Sequence, residues 1–449
     1  MIHSLDKRYV IPSRTYFSQV AIPDLYEKCT AKVETELSKV EYYAVTTDLW
    51  SSRTTEPYIS LTVHFIDEDF TLKSRCLQTA FFPENHTSDN IAAGLREAVA
   101  AWGLDETRQV CITTDNAANM VKAASLNEWT RLQCFGHRLH LAVENAVKKD
   151  GRINRTAGVC KKLVGHFSHS WKARSALEKA QKELNLPSHS FITECQTRWG
   201  SRQMMIIRIL EQQKALSQVL PVDKKLRHPI PNCQFFISSM LLIREEDTDL
   251  SKKLKKEMRD YLNEKYEDED TQKLLDMASC LDSQFKMDFI TADSKTQVKA
   301  RVTSEMMMTT IMTCQETAAA SCSTEVECEV AGTSQAKKGK RSLGSFFKQS
   351  EAAAKADLSQ YLKDAVEAEL NSYLLTPSID KEEDPLAWWK THKVIFPQLP
   401  KLARKYLCIP ATSAPSERLF SASGNIVTCQ RSCLKPALVD RLVFLAKNL

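Results

Sequence analysis

Val45-Thr46-Thr47-Asp48-Leu49-Trp50 and Cys111-Ile112-Thr113-Thr114-Asp115-Asn116 are two short β-forming runs, and each delivers an aspartate at its C-terminal end. In an open sheet, ligands and catalytic groups collect at the carboxyl ends of the strands. Two carboxylates from neighbouring strand ends, joined by a third acid, suit a pair of Mg²⁺ ions over a phosphodiester. Hard cations take anionic oxygens, and substrate phosphate and water complete their shells. Taken singly, each Asp reads equally well as a turn residue closing a strand. The surrounding pattern decides between the two.

Working outward, Ile59, Leu61, Val63 and Phe65 alternate at period two, Asp67-Glu68-Asp69 makes a polar turn, and Leu72 to Phe82 supplies a return strand. Residues 42–82 therefore read as three consecutive antiparallel strands. Thr87 or Ser88 caps a helix with Ile91, Leu95, Val99 and Trp102 at helical spacing, and Gly103 ends it. The strand ending at Asp115 follows, then a short helix from Asn116, a brief strand near Leu132 to Phe135, and a helix carrying Leu139, Val143 and Val147. The order βββαβαβα is that of a ribonuclease-H-like sheet, which sets acids from its first and fourth strands side by side.

From Gly151 to about Thr310 the pattern turns helical, as in Leu163, Val164, Phe167, Trp171 and in Met204, Ile207, Leu210. Between Cys314 and Asp357 the composition shifts to Ala, Ser, Thr, Glu and Gln around the basic run Lys337-Lys338-Gly339-Lys340-Arg341, too little apolar surface to offset the entropy of ordering. Helical spacing resumes with Leu362, Val366, Leu370 and Leu374, and a last amphipathic helix carries Leu438, Leu442 and Leu445. The expected architecture is α/β: a ribonuclease-H-like mixed sheet interrupted by a long all-helical insertion. Its expected divisions are a linker remnant at 1–40, the first part of the core at 41–150, the insertion at 151–313, a disordered linker at 314–357, and a C-terminal region at 358–449.

Composition bounds the function. Lys+Arg 61 against Asp+Glu 56 leaves the 449 residues at +5, which permits nucleic-acid contact without arguing for it, so any binding surface is a local patch. The 14 cysteines follow no regular pairing and no apolar leader opens the chain, which reads as reduced thiols in the cytosol or nucleus. No run of about twenty apolar residues exists, so no membrane span is expected.

Four segments, Thr46-Thr47-Asp48-Leu49-Trp50-Ser51, Thr113-Thr114-Asp115-Asn116-Ala117-Ala118-Asn119-Met120, Cys134-Phe135-Gly136-His137-Arg138-Leu139-His140-Leu141 and Ala411-Thr412-Ser413-Ala414-Pro415-Ser416-Glu417-Arg418-Leu419-Phe420-Ser421, occur in this order with Thr197-Arg198-Trp199 between the last two. Together the chain resembles the hAT-superfamily transposases and their domesticated descendants of the type fused to BED zinc fingers. The resemblance implies that Asp48 and Asp115 are the two catalytic aspartates and Glu417 the closing glutamate. The same three residues would be the metal ligands for two Mg²⁺ ions in an Asp-Asp-Glu transposase or nuclease. One ion would activate the attacking water or 3′-hydroxyl and the other would stabilise the leaving oxygen. It further implies DNA contacts from His137, Arg198 and Trp199, with the indole stacked on an extruded nucleotide. Dimerisation would fall to the C-terminal region through Trp388, Trp389, Phe396, Leu438, Leu442 and Leu445. Each has a plainer reading: an ion pair between Glu417 and Arg418, a hydrogen-bonded core histidine, a core tryptophan, an apolar face packed on its own chain.

Departures from the family pattern narrow the expectation. Cys134 and His137 form a Cys-x-x-His pair, but no second pair stands at finger spacing, so zinc is not expected here. No BED finger precedes Met1, and Leu281-Asp282-Ser283-Gln284-Phe285-Lys286 replaces the family's Leu-Asp-Pro-Arg-Phe-Lys. Lys340 to Lys348 carries a Leu followed by paired Phe346 and Phe347, the spacing of a sliding-clamp-binding peptide without its leading Gln, beside an import-like tract at Lys337 to Arg341. The expectation is a nuclear, dimer-forming, DNA-associated protein domesticated from a transposase, with an active Mg²⁺-dependent DNA transposase as the alternative. A general interaction protein without a nucleic-acid role is the third reading, disfavoured by the survival of all three acids.

Overall fold

The computed structural model describes residues 12–52, 55–195, 200–219, 249–321, 344–380, 382–419 and 434–449, with backbone alone at 312–321 and 344–359. The chain forms two compact units, one from residues 1–136 and 267–449 and the other from 137–266.

The first unit is built on a sheet. Helix α1 (Ile22–Leu37) leads into β1 (Tyr43–Ser51), β2 (Pro57–Ile66) and β3 (Leu72–Phe81), then α2 (Ser88–Ala101), β4 (Gln109–Thr114), α3 (Ala118–Leu126) and β5 (Arg131–Gln133); α4 (Phe135–Lys149) follows and belongs from His137 on to the second unit. The strand order is β3-β2-β1-β4-β5. β1 runs antiparallel to β2 and parallel to β4, so the sheet is mixed. Period-two alternation sorts its residues onto two cores. Val45, Ile59, Leu61, Val63, Phe65 and Ile112 face one side, packed by α1, α2 and α3. Ala44, Ile66, Cys111 and Leu132 face the other. Thr87 caps α2 through its side chain, as its position before the periodic run predicts.

Residues 22–37, expected as linker, form a helix because Cys29, Val33 and Leu37 recur four apart and bury one stripe on the sheet. A second difference concerns two helices that periodicity assigns to the insertion. After α5 (Gly151–His169), α6 (Trp171–Glu183), α7 (Ser201–Glu211), α8 (Gln213–Val219) and α9 (Asp249–Lys265) come α10 (Glu269–Leu281) and α11 (Ala292–Ser321). Leu274, Met277, Leu281, Val298, Val302 and Met306 of the last two join Ala44 and Cys111 in the core on the second face of the sheet. Residues 322–343, the centre of the expected disordered linker, lie outside the described residues. α11 enters that linker from one side and α12 (Gly344–Leu375) from the other.

The C-terminal elements are α13 (Pro385–His392), α14 (Leu399–Leu407) and α15 (Pro436–Asn448). α15 covers β3, an edge strand whose backbone groups would otherwise invite another chain. Asp440 accepts from Thr79 N at 2.6 Å, and Asn448 Nδ2 donates to the Cys76 carbonyl at 2.7 Å. The 137–266 unit packs α5 to α8 around Cys160, Val164, Phe167, Leu177, Met205, Ile209 and Leu216. Among the described residues no helix is long and apolar enough to cross a membrane.

Candidate functional site

The two aspartates stand where the strand register puts them. Thr46 and Thr113 are Cα partners across the parallel β1/β4 pair, and Asp48 and Asp115 each lie two residues further on. Both side chains therefore share the face of Ala44 and Cys111, on strands about 4.8 Å apart. Each is half-buried. Asp48 Oδ1 accepts from Leu49 N at 2.9 Å and Asp115 Oδ1 from Ala117 N at 3.2 Å, an Asx-type turn into α3.

Arg131 fixes that turn. Its Nε donates to Thr114 Oγ1 at 2.8 Å and its Nη2 to Asn116 Oδ1 at 2.8 Å and to the Asp115 carbonyl. The guanidinium fork thus grips residues 114–116 from the neighbouring strand and orients Asp115 by its backbone. Nothing in the sequence singles out Arg131, because an arginine in a short strand reads as a solvent-facing residue.

The third acid arrives from the far end of the chain. Thr113 Oγ1 donates to the Pro410 carbonyl at 2.9 Å, Phe135 N to the Ala411 carbonyl at 2.9 Å, and Ser413 N to Cys134 Sγ at 3.3 Å. The helical residues 414–419 follow, and Ser416 Oγ donates to Thr46 Oγ1 at 2.8 Å. Segment 410–416 is thereby tied to β1, β4 and the end of β5 on the face that carries Asp48 and Asp115. At its far end Leu419 is buried with Tyr58, Val439 and Val443. Glu417 is half-buried, accepts from Ser413 Oγ at 3.1 Å, and brings a carboxylate oxygen within 4.8 Å of Cys134 Sγ.

A polar relay that runs from buried Ser416, Thr46 and His64 to exposed Ser74 backs the closing segment. Thr46 Oγ1, which accepts from Ser416, lies 3.0 Å from His64 Nε2, and His64 Nδ1 lies 2.8 Å from Ser74 Oγ. A Thr46 hydroxyl that accepts from Ser416 and donates to Nε2 assigns the neutral Nδ1–H tautomer, with Ser74 as acceptor. Burial pushes the His64 imidazole down to about 4, so it is neutral at physiological pH.

In the 137–266 unit, His137 is half-buried in the first turn of α4. Arg198 and Trp199 lie outside the described residues, but the residues that flank them do not. Ser201 Oγ accepts from Cys195 N at 3.0 Å and donates to the Cys195 carbonyl at 2.7 Å. Gly200 takes φ +70, a left-handed turn that a side chain would strain, just before α7. Arg202 bridges Glu144 at 2.8 Å and Glu194 at 2.9 Å, and Lys161 reaches Glu194 at 3.1 Å. Burial raises the Glu194 carboxyl, but the two cations outweigh it and hold it below the usual carboxylate range.

The expected dimerisation residues divide. Trp389, Phe396 and Leu445 are buried within their own chain, while Trp388, Leu438 and Leu442 are half-buried. Trp389 is occupied at the end of α10, where its indole donates to the Leu281 carbonyl at 2.8 Å beside the Tyr373 hydroxyl on the Cys280 carbonyl at 3.0 Å. Both satisfy carbonyls that a helix C-terminus leaves without partners. Lys286 is spent in the same way, buried with its Nζ on the Tyr373 carbonyl at 3.1 Å and Thr376 Oγ1 at 2.7 Å, at the end of α12. The cation of the Leu281 to Lys286 motif is therefore a structural cap.

Three family models match the chain: the ZBED1 RNase-like domain over residues 46–135, the ZBED1 RNase-like helical domain over 132–234, and the hAT family C-terminal dimerisation region over 357–449. Among curated proteins, zinc finger BED domain-containing protein 4 of Homo sapiens is 24% identical over 100% of this chain and 41% of its own length. Zinc finger BED domain-containing protein 6 of Homo sapiens is 25% identical over 98% of this chain and 52% of its own. A putative AC transposase of Zea mays is 26% identical over 50% of this chain and 29% of its own. The chain thus spans about half, or less, of the length of these relatives.

Proposed function

We propose, from the premise that this chain is a hAT transposase-related protein of the BED zinc-finger type with an RNase-like sheet and a hAT dimerisation region, that it is a nuclear, DNA-associated protein domesticated from a transposase. It self-associates through its C-terminal region. A sliding clamp, bound through residues 340–348, is the secondary partner; those side chains lie outside the described residues.

The observation that supports the DNA reading is that segment 410–416, one residue short of Glu417, is bonded to β1 and β4, the strands that end at Asp48 and Asp115. Carboxylate oxygens are hard donors, which fits Mg²⁺, and these three residues would hold it. Bound there, Mg²⁺ would supply charge stabilisation for phosphodiester attack and departure. The protein's own contribution is orientation: Arg131 holds the Asp115 turn, and Ser416 with Ser413 holds the helix that bears Glu417. A second reading, an active transposase that nicks and transfers strands, is favoured by the retention of all three acids in the sequence.

The test uses the full chain with Mg²⁺ on DNA bearing terminal repeats, comparing wild type with Asp115→Asn, alongside sedimentation for oligomeric state. DNA binding and self-association with equal background cleavage in both proteins is the expected result for a domesticated protein. Cleavage by wild type that Asp115→Asn loses establishes the transposase reading instead. A monomer that binds no DNA overturns both.

A further inference from the structure

Trp171 is the first residue of α6, at the corner where α5 turns into α6, and 75% of it is exposed. A tryptophan left in water forgoes a large burial gain, which marks contact surfaces more often than chance. Its place is not accidental fraying. Ser170 caps α6 by accepting from Ala173 N at 3.2 Å, and Arg174 Nη2 reaches back across the corner to the Ser168 carbonyl at 3.1 Å. Ala173 and Leu177, on the opposite side of α6, are buried in the core of the unit.

The surroundings of the indole are cationic. Residues 148–182 hold ten Lys and Arg against two acids, a net +8 in a chain whose total is only +5. Some of that charge is spent on carboxylates, as Lys161 is on Glu194 and Arg152 on Asp150. Among the described residues Lys162, Lys172 and Arg174 have no carboxylate within 4.0 Å, and all three are exposed. Arg155, Lys162 and His169 recur seven apart on the solvent side of α5, opposite buried Ala157, Cys160, Val164 and Phe167. They form a line of donors spaced by about 10 Å that ends at the corner.

An aromatic anchor for a protein partner sits within an apolar, water-excluding ring. Trp171 instead has Ser168, His169, Ser170, Lys172 and Arg174 as its chain neighbours. A flat aromatic face beside exposed cations matches the two parts of an unpaired nucleotide, a base to stack and a phosphate to neutralise.

We infer that the α5/α6 corner is a station for single-stranded DNA, with Trp171 stacking on an unpaired base and Lys172, Arg174 and Lys162 meeting the adjoining phosphates. It rests on the reading of this chain as DNA-associated. Its use would be to hold a frayed or displaced strand, the form that a duplex never offers to an aromatic ring.

The experiment measures full-chain affinity for a labelled oligonucleotide, single-stranded and duplex, by anisotropy, for wild type, Trp171→Ala, Trp171→Phe and the Lys172→Ala/Arg174→Ala pair. Trp171→Ala is expected to weaken single-strand binding roughly tenfold, with Trp171→Phe retaining most of it. The paired variant lowers the salt dependence by about one to one and a half in log–log slope. Duplex binding moves less. Because these side chains are exposed, unfolding curves of the variants should overlay wild type. Single-strand affinity unchanged in Trp171→Ala, with duplex binding intact, overturns this inference and leaves the DNA reading standing. A chain that binds neither form overturns both. A Trp171→Ala defect seen only in self-association would reassign the corner to a second copy and overturn it as well.

Discussion

Two segments that bear site residues are moored in opposite ways. Residues 414–419, with Glu417, are held by neutral groups: Ser416 on Thr46, Thr46 on His64, His64 on Ser74. The residues on either side of Arg198 and Trp199 are held by an ionic cluster of Arg202, Glu194, Glu144 and Lys161. A neutral mooring adds no charge beside acids whose proposed task is to attract divalent cations. An ionic mooring around a buried carboxylate gives directional strength but is costly to break. The contrast gives the two segments different responses to mutation and to pH.

The largest expected effect is on the ionic side. Glu194 keeps only 4% of its side chain in solvent, so Arg202→Ala leaves a buried carboxylate with Lys161 as its remaining cation and takes the Arg202 partner from Glu144. Losing two charge-assisted bonds while Lys161 remains costs about 3 kcal/mol, the low end for a broken buried ion pair. Hydrogen exchange over residues 186–195 and α7 should accelerate by two orders of magnitude or more, while β1 to β3 stay at wild-type rates. Acceleration below about tenfold would show that these residues are held by the Ser201 clasp alone.

Next comes the pH response of the neutral mooring. The unfolded His64 protonates near its usual 6.5, whereas the buried imidazole resists protonation until about 4. The unfolded state therefore binds more protons between these values, and stability falls as pH drops through that window by roughly 3 kcal/mol. No charged group contributes to the shift, and the two partners, Thr46 and Ser74, are neutral hydroxyls. His64→Gln keeps a polar bridge but does not titrate. Its unfolding midpoint in denaturant should lose less stability than wild type between pH 6.5 and 4, and parallel curves would refute the assignment of a neutral buried His64. Glu194, held low by Arg202 and Lys161, keeps its contribution above the usual carboxylate range and loses it only as pH falls through its depressed value.

How much of this was legible in sequence follows the range of each interaction. The strand-end acids were legible because the alternation of Ile59, Leu61, Val63 and Phe65 and the two terminal aspartates are local patterns, and parallel register does the rest. The α1 stripe of Cys29, Val33 and Leu37 was hidden by the charged residues around it. Periodicity identified α10 and α11 as helices but carries no information on which core they join. Trp389 reads as an interface residue in sequence because its hydrogen bond to a carbonyl over a hundred residues away leaves no trace in composition. Arg131 and Ser416 have the same difficulty: each acts on a partner from another part of the chain, and only the folded arrangement names it.

The smallest effect separates holding from mere contact. Ser416→Ala removes the donor to Thr46 but leaves the Thr46 hydroxyl free to serve His64, so no buried group is stranded and the loss is about 1 kcal/mol. Exchange of amides in 414–419 should quicken about fivefold, with 410–413 less affected because Thr113, Phe135 and Cys134 still bind that stretch. Leu419, buried with Tyr58, keeps the far end in place. If Glu417 works through its position, Mg²⁺-dependent DNA binding should weaken in Ser416→Ala by a similar factor, and Ser416→Thr should recover it by restoring a hydroxyl donor. Faster exchange without any change in Mg²⁺ dependence would mean that the relay stabilises the helix but that Glu417 does not need it to meet its ion.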